Sequence, residues 1–119
     1  MSAFAVGTIA ILMLAMGLSA LAAPTRFLRF VGSEPLGRDG RNEVRAVYGG
    51  FGVMMFAVLL YALRESAYRP GILLCMGVAL LGMALGRIVS IVLDRGISPL
   101  AIAVLAGEFS GGCILLLAI

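Results

Sequence analysis

The chain alternates four long apolar runs with short polar stretches. The runs cover residues 3–23, 42–63, 71–93 and 99–118. Each approaches or exceeds the roughly 20 residues a helix needs to cross a hydrocarbon core. Turn formers and charges interrupt them at Pro24, at Arg64-Glu65-Ser66-Ala67-Tyr68-Arg69-Pro70 and at Asp94-Arg95-Gly96. The pattern predicts an all-α chain: a polytopic four-transmembrane-helix bundle with one membrane domain over 1–119. The first run resembles a signal peptide at Ala20-Leu21-Ala22. No basic stretch precedes it, so it is read as the first membrane helix.

The stretch 24–41 is the longest connection. Residues 26–31, with Arg26, Phe27, Leu28, Arg29, Phe30 and Val31, make a short amphipathic piece suited to a headgroup layer. The turn formers of 32–40 follow. Asn42 is expected to cap the second helix, with Glu43 in its first turn. Arg45, Tyr48, Gly49 and Gly52 then share one helical face by their spacing. Pro99 suits the first turn of the last helix. The first and third helices share a Gly- and Met-containing Ala/Leu texture, compatible with a parallel duplication of hairpins.

Composition agrees with the pattern. Hydrophobic residues make up 62% and charged residues 13%, against about 45–50% and 25% for soluble domains. The net charge is +3, and all nine basic residues are arginine. They sit in loops and at helix ends without interleaved aromatics, which favours anionic headgroups over nucleic acid. The absence of histidine and lysine removes imidazole bases, His-based zinc sites and Schiff-base chemistry. Cys75 and Cys113 form no CxxC and read as apolar filler. No nucleophile–base pair or metal set appears, so an enzyme is the weakest reading, and no catalytic residue, metal or cofactor is implied.

Two charges change this picture. Arg87 stands inside the third run and Glu108 inside the fourth. A central arginine costs about 2.5–3.5 kcal/mol even on a mild insertion scale. Counting from Asp94 puts Arg87 about 10 Å deep, and counting from Pro99 puts Glu108 about 13–14 Å deep on the same side. An ion pair between neighbouring helices is therefore expected. Gly82 and Gly86 on one helix, and Ala103, Gly107 and Gly111 on the other, would allow close approach, as would Gly49 and Gly52 on the second. Two readings stay open. The pair fixes helix register and has no ligand. Or Arg45 and Arg87 face a shared cavity, with Glu43, Asp94 and Glu108 as counter-charges and Tyr48 nearby, suited to a carboxylate or phosphate on an apolar tail.

The string Asn42-Glu43-Val44-Arg45-Ala46-Val47-Tyr48-Gly49-Gly50, with Leu85-Gly86-Arg87, Asp94-x-Gly96 and Glu108, resembles small bacterial four-helix membrane proteins grouped as a domain of unknown function. It is more distantly similar to DoxX-like proteins. The resemblance implies a compact bundle and marks Glu43, Arg45, Tyr48, Arg87 and Glu108. It implies no activity, substrate or cofactor.

The expected role is binding of an amphiphile, a lipid or a partner helix through the Arg/Glu cluster. The alternatives are a proton-coupled transporter acting as an oligomer, with Glu108 protonatable, and a structural accessory subunit of a membrane complex. Expected partners are the bilayer, an amphiphilic small molecule or lipid, and a second copy or another membrane protein. Arg26, Arg29, Arg38, Arg41 and Arg95 lie on one side and Arg64 and Arg69 on the other. The positive-inside rule then puts the long loop in the cytoplasm and both termini outside a bacterial inner membrane.

Overall fold

A computed structural model describes residues 2–30 and 37–119. The turn formers at 32–36 lie outside them. The described residues are helical throughout, joined by short turns. α1 spans Ser2–Ala22, α2 Pro24–Phe30, α3 Arg38–Val44, α4 Phe51–Arg64, α5 Arg69–Asp94 and α6 Pro99–Leu117. A π-helical segment, Arg45–Gly50, joins α3 to α4, so Arg38–Arg64 is one continuous rod. Four helices are long and apolar enough to cross a membrane: Ala3–Ala22, Arg38–Arg64, Arg69–Asp94 and Pro99–Leu117.

Local chemistry explains most boundaries. Pro24 lacks an N–H and breaks the ladder between α1 and α2, while Ala23 and Phe27 keep backbone bonds to Ser19 and Ala23 carbonyls at 3.0 and 2.9 Å. α2 buries Pro24 and Leu28 and exposes Arg26, Arg29 and Phe30. The second long helix starts at Arg38, earlier than Asn42. Asn42 is thus an interior residue, and Gly37 holds the cap position without a side-chain bond. The expected loop is shorter at both ends for these reasons. Arg95, in the left-handed region at φ 55°, terminates α5. The Ser98 hydroxyl accepts from the Ala101 N–H at 3.2 Å and caps α6, with Pro99 in its first turn.

The helices pack as two pairs. α1 lies along the π segment and α4, and α5 lies along α6. Contacts between the pairs are sparser, from α4 to α5 and from α1 to α6. The resulting body is flat, 42 × 32 × 18 Å. Each pair crosses at two glycines. A Cβ on Gly52 would come within 2.9 Å of the Gly17 Cα, and one on Gly112 within 2.9 Å of the Gly77 carbonyl oxygen. These backbones are in direct contact, as small-residue crossings permit. Gly49 belongs to the same contact, since a Cβ there would meet Leu21 at 2.7 Å, and Gly111 faces Leu80. Gly82, Gly86 and Gly107 do not: a Cβ on any of them would meet open space. They lie on the outer faces of α5 and α6, because the crossing turns the Gly77 and Gly112 faces inward.

The two crossings are related by one offset. Gly77 and Gly112 each stand 60 residues beyond Gly17 and Gly52. The second hairpin therefore repeats the packing of the first.

The main core joins the pairs at one end only. It contains Val6, Ile9 and Ala10 of α1, Leu59 of α4, Leu73, Met76 and Leu80 of α5, and Leu115 of α6. All come from the halves nearest the termini. A second cluster, Ala20, Leu28 and Val44 with Phe27 and Tyr48 against it, belongs to the first pair alone. Among the described residues, the loop-side halves of α5 and α6 bury only Ala84 and Glu108.

Gly52→Val and Gly112→Val should each lower stability by about 1–3 kcal/mol through overpacking. Gly82→Ala and Gly86→Ala should leave it unchanged or slightly raised. Unfolding in mixed detergent micelles, followed by circular dichroism, checks both.

Candidate functional site

α5 and α6 bring Arg87 and Glu108 together on the loop side of the Gly77–Gly112 crossing, nearly three turns from Gly77 and about one turn from Gly112. The Arg87 Nε donates to Glu108 Oε2 at 2.6 Å, and Nη2 donates to Oε1 at 2.8 Å. The pair is bidentate, the strongest geometry open to a guanidinium and a carboxylate. Its exposure is uneven. The Glu108 side chain is 8% exposed and the Arg87 side chain 32%. Glu108 is the buried charged residue of the described chain. Both carboxylate oxygens are occupied, whereas Nη1 and the second Nη2 hydrogen have no partner among the described residues. The outward side of the pair is therefore a set of N–H donors.

Tyr48 lies on the loop side of the other hairpin, in the segment that joins α3 to α4. It is half-buried, and its hydroxyl makes no hydrogen bond among the described residues. Its ring packs on Phe27 of α2 with centroids 5.1 Å apart at 50°. Phe27 and Tyr48 stand 60 residues before Arg87 and Glu108. The equivalent contact is thus aromatic in the first hairpin and ionic in the second.

Tyr48 sits in the π-helical segment, where the Phe51 N–H reaches back to the Ala46 carbonyl across five residues. The wider turn carries Gly49-Gly50, whose missing side chains relieve crowding. π turns inside α-helices concentrate at functional sites. Gly49 and Gly52 face Leu21 and Gly17 of α1, and Tyr48 packs against the Ala20, Leu28 and Val44 cluster, so the expected common face is turned toward α1 and α2. Arg45 is exposed, and its Nε donates to the Leu21 carbonyl at 3.3 Å, covering the end of α1.

Of the six residues expected to cluster, the structure joins Arg87 to Glu108, while Tyr48 packs within its own hairpin and Arg45 bonds the Leu21 carbonyl. Glu43 is exposed in α3. Asp94 is exposed at the end of α5 and accepts from the Ser90 hydroxyl at 3.0 Å, one turn back along its own helix. Neither carboxylate serves as a counter-charge to Arg87. Phe27 is the ring partner of Tyr48 in the first hairpin. Its sequence signal is the 60-residue offset from Arg87. Cys75 and Cys113 are both free thiols. Thr8, Ser19 and Ser110, inside the apolar helices, donate to the Phe4, Ala15 and Gly107 carbonyls.

The pair makes a direct prediction. Arg87→Leu or Glu108→Leu alone should cost about 3 kcal/mol or more, because each leaves a charge without its partner. The double substitution should recover most of that loss. A double-mutant cycle by unfolding in detergent measures the coupling.

Comparison with known proteins adds the family. No curated protein and no solved structure matches the chain. The profile of the family described as a domain of unknown function, DUF4345, matches residues 1–119, and the chain belongs to that family.

Proposed function

We propose that this protein is a small integral membrane protein that binds an amphiphilic small molecule or lipid at the Tyr48–Arg87–Glu108 site. The observation that carries the reading is the free donor face of Arg87. At hydrocarbon depth no bulk water is available, and polar groups without partners are costly. A guanidinium with uncommitted N–H groups, with an uncommitted phenol on the same loop side, suits a polar headgroup whose apolar body lies among the helices. The sparse contact between the two hairpins on the loop side supports access from that end.

The proposed setting is a bacterial inner membrane, with the loop-side arginines cytoplasmic and both termini outside. The count of Arg26, Arg29, Arg38, Arg41 and Arg95 against Arg64 and Arg69 supports this orientation. The rival reading, an ion pair that only fixes packing within a four-helix bundle or an accessory subunit, draws on the bidentate closure of Arg87 on Glu108.

Native mass spectrometry of protein extracted in mild detergent separates the two. The binding reading expects a reproducible adduct mass, diminished in Tyr48→Phe and lost in the Arg87→Leu/Glu108→Leu double variant. Bare protein, under conditions that keep adducts on other membrane proteins, overturns it.

A further inference from the structure

The geometry of the pair sets the kind of headgroup the site takes, if the binding reading above holds. Arg87 and Glu108 neutralise each other within the site, and both carboxylate oxygens are already used. The groups that remain are donors: Arg87 Nη1, the second Nη2 hydrogen and the Tyr48 hydroxyl. Glu108 is almost fully covered while a third of the Arg87 side chain is open, so an incoming group meets N–H and O–H rather than carboxylate. The wall beside Tyr48 is apolar and aromatic, formed by Phe27.

Charge then discriminates among ligands. A carboxylate or phosphate would add a net negative charge beside Glu108 in a medium of low dielectric. It could take the open Nη1–Nη2 edge only by setting two anions on one guanidinium, which leaves the site net negative. A cationic head would confront the guanidinium and find Glu108 covered. An uncharged acceptor oxygen satisfies the donors and leaves the site electrically neutral. We infer that the site selects an uncharged ligand bearing a carbonyl or ester oxygen on an apolar body. This replaces the carboxylate or phosphate suggested by arginine content alone.

The test uses four probes with one saturated chain length: a methyl ketone, a methyl ester, the fatty acid at a pH where it is ionised, and an alkyltrimethylammonium. Occupancy is read by native mass spectrometry in detergent. A 13C label in the ketone carbonyl reports hydrogen bonding by its NMR shift. The expected result is ketone or ester binding about tenfold or more above the ionised acid. The carbonyl shift should move toward its hydrogen-bonded value, with a weaker effect in Tyr48→Phe, a change that keeps the ring and its packing. An ionised acid that binds as tightly as the ester overturns this inference and leaves the binding reading standing. If no probe exceeds its binding to the Arg87→Leu/Glu108→Leu variant, both fall. Repeating the ketone measurement in nanodiscs of ester-linked and ether-linked phospholipid identifies the source of the oxygen. Competition only by the ester lipid assigns the site to a glycerolipid ester, and equal occupancy assigns it to a free small molecule. Either result supports the neutral-acceptor class.

Discussion

An arginine two turns inside an apolar helix needs a counter-charge at its own depth, on a helix close enough for the side chain to reach. That requirement organises the loop-side half of this protein. It fixes which face of α5 meets α6, because Arg87 must point at Glu108. It fixes register, because the bidentate bonds tolerate little sliding. It explains why Glu108 is buried in a region where the two helices otherwise bury only Ala84. The Gly77–Gly112 crossing makes the short reach possible by bringing the two backbones into contact about one turn from Glu108 and nearly three from Arg87.

The first hairpin solves the same geometry with different chemistry. Its glycine crossing, Gly17 with Gly52, is followed on the loop side by the Phe27–Tyr48 ring contact. Moving 60 residues along the chain exchanges the rings for Arg87 and Glu108. One hairpin thus supplies an aromatic wall and the other an ion pair at equivalent positions. The apolar core holding the hairpins together sits at the opposite end, from Val6 to Leu115. A repeated scaffold with unequal contacts is a simple route to different chemistry on two similar halves. The π turn adds to the asymmetry, since it carries Tyr48 in the first hairpin, while the corresponding stretch of α6 stays α-helical.

Much of this was legible in the residues. Four spans follow from run length, and the Arg87–Glu108 pair follows from matched depths and the high cost of an unpaired intramembrane charge. What was not legible depends on backbone geometry that residue types do not fix. Glycine spacing pointed to Gly82, Gly86 and Gly107, yet the helices cross at Gly77 and Gly112. GxxxG strings are common in apolar helices and do not say which face turns inward. Arg45 was expected to share a cavity with Arg87, but its face of the helix is turned to α1, where it donates to the Leu21 carbonyl. Asn42 was expected at a helix start because it is a good cap, but the helix had already begun at Arg38 without one. The duplication showed only as shared texture in the sequence. It becomes specific when the paired contacts of one hairpin are laid on those of the other.

The central claim is that Arg87 and Glu108 form a bidentate ion pair within the membrane. Solid-state NMR of the protein in lipid bilayers tests it directly. The chain is labelled with 15N-arginine and 13C-glutamate, and rotational-echo dipolar recoupling reads guanidinium nitrogens against carboxylate carbons. The account predicts strong dephasing from two guanidinium nitrogens to one glutamate carboxylate, abolished in Glu108→Gln. Dephasing absent from the wild-type protein, or unchanged by that substitution, would contradict it.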